Sequence, residues 1–266
     1  MAYNMVNFIP AQWASDGLPE GDLVHTFISE IEKSVERMAS DFENSEMDET
    51  HEIEEPYDNC DSVSRCWLTR SHKGISDGCY CLDEIFLDYY PTLHRSSALL
   101  TVYGLMEKHL QYVVDKMEEY SGIKYKRDRQ LSIVGSCMKY LEDEFNCSPE
   151  KKESLNYIRL VRNLLAHNAG QLEEQDDDKC SKLLEYIESK DELDIKWNEL
   201  MIRKGYLSFV MSEFDEYFCL ISSAIKKFEY LTARPIIKKG RGFKIEYNCE
   251  EIFKNNSWKT KMNIVE

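Results

Sequence analysis

The stretch Tyr157-Ile-Arg-Leu-Val-Arg-Asn-Leu-Leu-Ala-His-Asn-Ala-Gly170 decides how this chain is read. Ile158, Leu160, Val161, Leu164 and Leu165 predict a core helix, and Gly170 predicts its stop. The same turns carry Arg162, Asn163, His167 and Asn168, which a core helix has no packing reason to gather. Arg159, Asn163 and His167 follow at four-residue spacing and share one helix face. Arg162 sits about 100° round from Asn163, but its long side chain reaches back over the turn. Bare Arg-x4-His is a weak signal; the apolar lead-in, the Asn after the Arg and the His-Asn-x-Gly exit give it context.

Working outward, Ser148-Pro149-Glu150 reads as the start of this helix, with Ser148 as N-cap and Pro149 at the first helical position. Before it, Ile133, Val134, Cys137, Leu141 and Phe145 predict a helix over about 131–145. The longest helix is expected from Leu93 to Tyr120, with the stripe Leu99, Val102, Tyr103, Met106, Leu110, Val113, Met117 and Tyr120. Gly104 leaves room there for a close helix crossing. Residues 83–90 read as a short helix halted by Pro91. On the N-terminal side, Leu23, Phe27, Ile28, Ile31, Val35 and Met38 predict a helix over 20–46, and residues 56–90 a long loop or insertion with short strands. Toward the C-terminus, two short strands around Lys204-Gly205 fit a hairpin, and Ser212 caps a closing helix with Phe214, Phe218, Ile221, Ile225 and Phe228 inward.

Residues 85–231, with Arg-polar-x3-His near the end of a bundle helix, resemble the HEPN superfamily (higher eukaryotes and prokaryotes nucleotide-binding). Arg95-Ser-Ser-Ala-Leu-Leu and Leu105-Met-Glu-Lys-His-Leu look like the first long helix of bacterial members. The resemblance implies an all-α, antiparallel helical bundle with a small β-hairpin and an irregular N-terminal insertion. Its expected organisation is an N-terminal helix and insertion over 1–90, the bundle over 91–231 and a basic tail over 232–266. It also implies a homodimer whose shared cleft cuts RNA, with Arg162 and His167 catalytic and Asn163 supporting them. The products would carry a 2′,3′-cyclic phosphate and a 5′-hydroxyl, and the role would be that of a toxin or antiviral defence effector. There is one departure: some HEPN toxins carry a Tyr two residues beyond the His, which a partner nucleotidyltransferase modifies. Ala169 stands there instead, so control is expected from an inhibitor or antitoxin protein rather than from that chemistry.

The chemistry of these residue types fits. Histidine moves protons near neutral pH, and arginine holds its charge and offers planar paired donors to phosphate. Each residue also has a structural role open to it: His167 as a cation at a helix C-terminus, Asn168 or Gly170 as a left-handed end residue, Arg162 as partner of a carboxylate. Lys124, Lys126, Arg127 and Arg129, interleaved with Tyr120 and Tyr125, form a basic cluster suited to an RNA backbone, or a set of cations dressing a helix end. Against them stands a net charge of −16, which opposes broad nucleic-acid binding. The alternative is therefore a non-catalytic bundle that binds a nucleotide, RNA or a protein partner.

Acidic runs at 41–55 and 173–178 read as solvated segments. No run of 18 apolar residues and no secretory leader is visible, so the expected location is cytoplasmic, away from membranes. Nine cysteines, an odd number and mostly scattered, fit reduced thiols, with Cys137 and Cys219 in the core. Cys60, Cys66, His72, Cys79 and Cys81 lie close together, but Cys-x5-Cys and Cys-x-Cys are not paired zinc knuckles. The reading assigns no metal and no cofactor. There is no Walker A loop, Rossmann glycine pattern, Gly-x-Ser-x-Gly elbow or His-Glu-x-x-His.

Overall fold

The computed structural model of the protein describes residues 21–45, 48–53, 66–172 and 178–232. Residues 1–18, most of the acidic run at 173–178, Cys60 and the tail with Lys238, Lys239, Arg241 and Lys244 lie outside the described residues. The elements run α1 (Gly21–Asn44), β1 (Asp48–Ile53), β2 (Cys66–His72), β3 (Ile75–Ser76), a π-helix (Glu84–Tyr89), α2 (Tyr90–Ser121), α3 (Ile133–Phe145), α4 (Lys152–Asn168), α5 (Asp178–Glu188), β4 (Leu193–Lys196), β5 (Glu199–Ile202) and α6 (Tyr206–Thr232). The chain is mostly helical, as its periodicity predicts.

The described residues fall into two compact units: one comprises 21–25, 101–161 and 208–232, the other 26–45, 48–53, 66–100, 162–172 and 178–207. In the first, the stripe of α2 is buried from Val102 to Met117, as are Val134, Cys137, Leu141 and Phe145 on α3. Phe214 on α6 meets Tyr103 edge to face at 6.2 Å, and Phe228 meets Phe145 at 5.0 Å. Such aromatic pairs contribute beyond the area they bury. Tyr120 is half exposed, and no atom lies within 4 Å of where a Cβ on Gly104 would stand, so no close crossing is built there. Cys219 is exposed, contrary to expectation: it lies one residue past fully buried Phe218, about 100° round the helix.

In the second unit Phe42, Leu82 and Phe86 form a small core, with Phe42 and Phe86 stacked at 4.9 Å. The buried face of α1 is Val24, Ile28, Val35 and Phe42, while Leu23 and Phe27 face outward. The start of the stripe therefore differs from expectation, with Val24 inward in place of Leu23 and Phe27, while Ile28 and Val35 are buried as expected. Nearby, Glu32 on α1 takes three hydrogen bonds of 2.8–3.2 Å from Arg95, which also donates to the Ile202 carbonyl at 3.2 Å. Both side chains are nearly buried, so removing either would strand a charge.

Three details differ from expectation for physical reasons. Pro91 does not halt a helix. It has no N–H to donate and its ring crowds the carbonyl four residues back, and that carbonyl, on Leu87, lies in the wider π-turn. The hairpin lies earlier than expected: β4 and β5 pair antiparallel from Leu193↔Ile202 to Lys196↔Glu199. Its two turn residues, Trp197 and Asn198, both take positive φ (51° and 64°), which matches the twist of the strands. Finally, Tyr206-Leu-Ser-Phe-Val210 is no strand but the first turns of α6, so the helix starts six residues before Ser212. Upstream, β1, β2 and β3 form an antiparallel sheet, with β2 and β3 joined through Lys73 and Gly74, again both at positive φ.

Candidate functional site at the end of helix α4

The lead-in to α4 is a turn, in which Lys152 N donates to the Pro149 carbonyl at 2.9 Å and Ser148 Oγ accepts from Glu150 N at 3.4 Å. Leu155, Ile158 and Val161 are buried, whereas Leu160, Leu164 and Leu165 are half-buried. Lys151 bridges Glu213 and Glu216 on α6, which raise its pKa and hold it charged.

The polar groups then separate by role. Arg159 spends its Nε and Nη2 on the Asn156 side-chain oxygen, at 3.2 and 2.8 Å, and so turns back along the helix. Arg162 Nη1 donates to Asn163 Oδ1 at 3.0 Å, and both residues are half-buried. His167, one turn beyond Asn163, is exposed in the last turn. Among the described residues its ring has no hydrogen-bond or ion-pair partner. Arg162 and Asn163 are therefore brought together, and His167 follows on the same helix with its ring open to solvent.

Gly170 is the left-handed stop that the sequence offers, whereas Asn168 stays in the helix and the clamp beyond it was not foreseen. Ala169 and Gly170 both take left-handed φ (51° and 87°) and reverse the chain. The Gly170 carbonyl then accepts from Leu200 N at 2.9 Å, Leu172 N donates to the Asn198 carbonyl at 3.0 Å, and Asn198 Nδ2 returns a bond to the Leu172 carbonyl at 2.6 Å. The turn of β4–β5 and the start of β5 thus clamp the segment three to five residues after His167. The sequence signal was Asn198, a residue at ease with positive φ, hidden behind a Trp that rarely occupies such a turn.

The basic cluster falls in the other unit, on the loop 122–132 between α2 and α3. The backbone here is tightly held. Ser136 Oγ accepts from Tyr125 Oη at 3.0 Å and from Asp128 N at 2.9 Å, and Tyr140 Oη donates to the Ile123 carbonyl at 2.7 Å. Lys124 is taken by Glu118 at 2.7 Å, and its hydrogen bond lowers the pKa of that carboxyl, helped by the Tyr125 backbone N–H. Asp128 is lowered by the Gln130 N–H and then by Lys139. Lys126, Arg127 and Arg129 are exposed and have no ion-pair partner among the described residues.

The cysteine and histidine group is not assembled as a metal site in what is described. His72 is buried, with Nδ1 2.9 Å from Ser45 Oγ and its ring edge-on to Phe42 and Phe86, while Cys79 and Cys81 are exposed free thiols. Among the described residues no three His, Cys, Asp or Glu side chains are grouped to hold a metal ion. No described helix is long and apolar enough to cross a membrane. Comparison with known proteins returns no match to any family, curated protein or solved structure.

Proposed function

We propose that the chain is a metal-independent endoribonuclease of HEPN type, acting as a homodimer with Arg162 and His167 of both copies in one cleft. One His and one Arg make a thin set for RNA cleavage; a two-fold axis doubles it. One His167 takes the proton from the 2′-hydroxyl as the oxygen attacks phosphorus. The second His167 protonates the departing 5′-oxygen. Arg162 meets the charge of the phosphorane with fixed N–H donors, and Asn163 sets the plane of that guanidinium. Lys126, Arg127 and Arg129 attract the strand. A defence role comes with the resemblance alone.

The observation that carries this reading is the pairing of Arg162 with Asn163 on the helix whose last turn leaves His167 exposed. The test is purified protein with total RNA in EDTA, wild type beside His167→Ala, with end-group analysis. The expected result is cutting by wild type, leaving cyclic phosphate, and a loss of about 10²–10⁴-fold in the variant. Equal cutting by both would overturn the assignment.

A second reading has its own support in the three exposed cations of the 122–132 loop, which need no catalytic site to bind a polyanion. In that case the bundle binds RNA, a nucleotide or a protein without turnover. RNA binding with no cutting by either protein would favour it.

A further inference from the structure

Among the described residues, the most exposed aromatic side chains of the second unit converge on one place that the cleavage reading does not use. Trp197, at the tip of β4–β5, is 55% exposed, Tyr80 is 59% and Tyr89 is 42%. All three line a cleft of about 210 Å³, with Cys81, Glu84 and Ile85 completing it. Large aromatic rings left in water around one hollow cost solvation and mark an interaction site.

The way the cleft is built supports this. Glu84, Ile85 and Tyr89 all come from the π-helix. Five residues on an α-helix would set Glu84 and Tyr89 about 140° apart. Closing the turn at i→i+5 brings them onto the same side, and π-turns of this kind recur at functional sites. The irregular turn is therefore what delivers a carboxylate and a ring to one hollow.

The charge selects the ligand. Glu84 has no ion-pair partner among the described residues, and the neighbouring hollow adds Asp77 and Asp83 against Arg70. Phosphate would be repelled here. Trp197 already serves as a cation acceptor, with Lys196 Nζ 5.2 Å from its ring centre. Asp88 holds that ammonium, and although burial opposes its charge, hydrogen bonds from Lys196 and Arg203 keep its pKa below the usual carboxylate range. Rings around a hollow with a free carboxylate are the chemistry that recognises a methylated or quaternary ammonium.

We infer that the Tyr80–Tyr89–Trp197 cleft, with Glu84, binds an organic ammonium cation, presented either by a methylated lysine side chain or by a free choline-like molecule. The site is separate from His167 and Arg162, and stands whether or not the chain cuts RNA.

The test is a titration of the full chain by calorimetry and by NMR with choline, with Nε-trimethyl-lysine amide and with 3,3-dimethyl-1-butanol, the neutral isostere of choline. The expected dissociation constant for the better cation is on the order of 1 mM or tighter. The neutral isostere is expected to bind about tenfold more weakly, Trp197→Ala to lose about tenfold and Glu84→Gln a few-fold. Trp197 is exposed and Glu84 half-buried, and unchanged thermal unfolding of the variants shows that the loss is local. Preference for the amino-acid derivative points to a modified protein, and preference for choline to a small molecule; either supports the site. Equal binding of the isostere, tighter binding of guanosine than of either cation, or no binding at all would overturn it.

Discussion

Two stretches of this chain offer cations to solvent, and they are built in opposite ways. In the loop 122–132 the backbone is pinned by Ser136, Tyr125 and Tyr140 while the heads of Lys126, Arg127 and Arg129 are left loose. At the end of α4 the guanidinium of Arg162 is itself held, by Asn163, and the His167 imidazole is exposed with no hydrogen-bond or ion-pair partner among the described residues. Loose heads on a fixed base can follow phosphates at varying spacing. A guanidinium whose rotamer entropy is already spent is suited to one geometry, which is what a reacting group needs. On the proposed function, the difference separates attraction from chemistry.

The largest expected effect comes from breaking the held side of this contrast. Arg162→Lys keeps the charge but loses the planar fork, and the cleavage rate on a short oligonucleotide should fall about 10²-fold. A wild-type rate would mean that charge alone matters there. Ser136→Ala attacks the other base, leaving the Tyr125 hydroxyl and the Asp128 N–H without their shared acceptor. It should cost about 1–3 kcal/mol in urea unfolding, with faster amide exchange in the loop. Gly170→Ala should cost about 1 kcal/mol, because φ there is 87°, and hydrogen exchange at residues 168–172 would show whether the clamp loosens.

Smaller effects sharpen the loop's role. Replacing Lys126, Arg127 and Arg129 together by Gln should change stability by under about 0.5 kcal/mol. It should nevertheless lower the salt slope of RNA binding by about 2. Lys124→Gln should change that slope less, since Glu118 already neutralises it. The smallest effect is in pH. Glu118 and Asp128 have folded pKa values below their unfolded ones, so the anchoring they add is present above the unfolded values. It is lost as pH falls through the folded ones. Protection of the loop amides should therefore drop below about pH 4 while the end of α4 keeps its own.

The sequence made the helices legible where packing is periodic. The stripe on α2 as far as Met117 and the inward Phe214, Phe218 and Phe228 of α6 are buried as read, because one face must leave water whatever else happens. It was misleading where local chemistry competes with pattern. Lys204-Gly205 looked like the hairpin turn, but the strands close around Trp197-Asn198, and register follows the turn. Pro91 looked like a stop, but a π-turn absorbs it. At the candidate site, the order of Arg162, Asn163 and His167 on one helix was readable. The bond between the first two, the loss of Arg159 to Asn156 and the clamp on Gly170 were not, since they depend on rotamers and on a strand about 30 residues away.

The Arg95–Glu32 pair also has a consequence in time. Glu32 must wait 63 residues for its guanidinium, and Arg95 another 107 for the Ile202 carbonyl. At about 5–20 residues per second of synthesis, that last interval alone is roughly 5–20 s. For that period Phe42 can already close on Leu82 and Phe86, while the guanidinium of Arg95 stands with its carboxylate and no carbonyl. The ion pair can therefore form long before its last acceptor exists, and the full seating of Arg95 should track the emergence of β5.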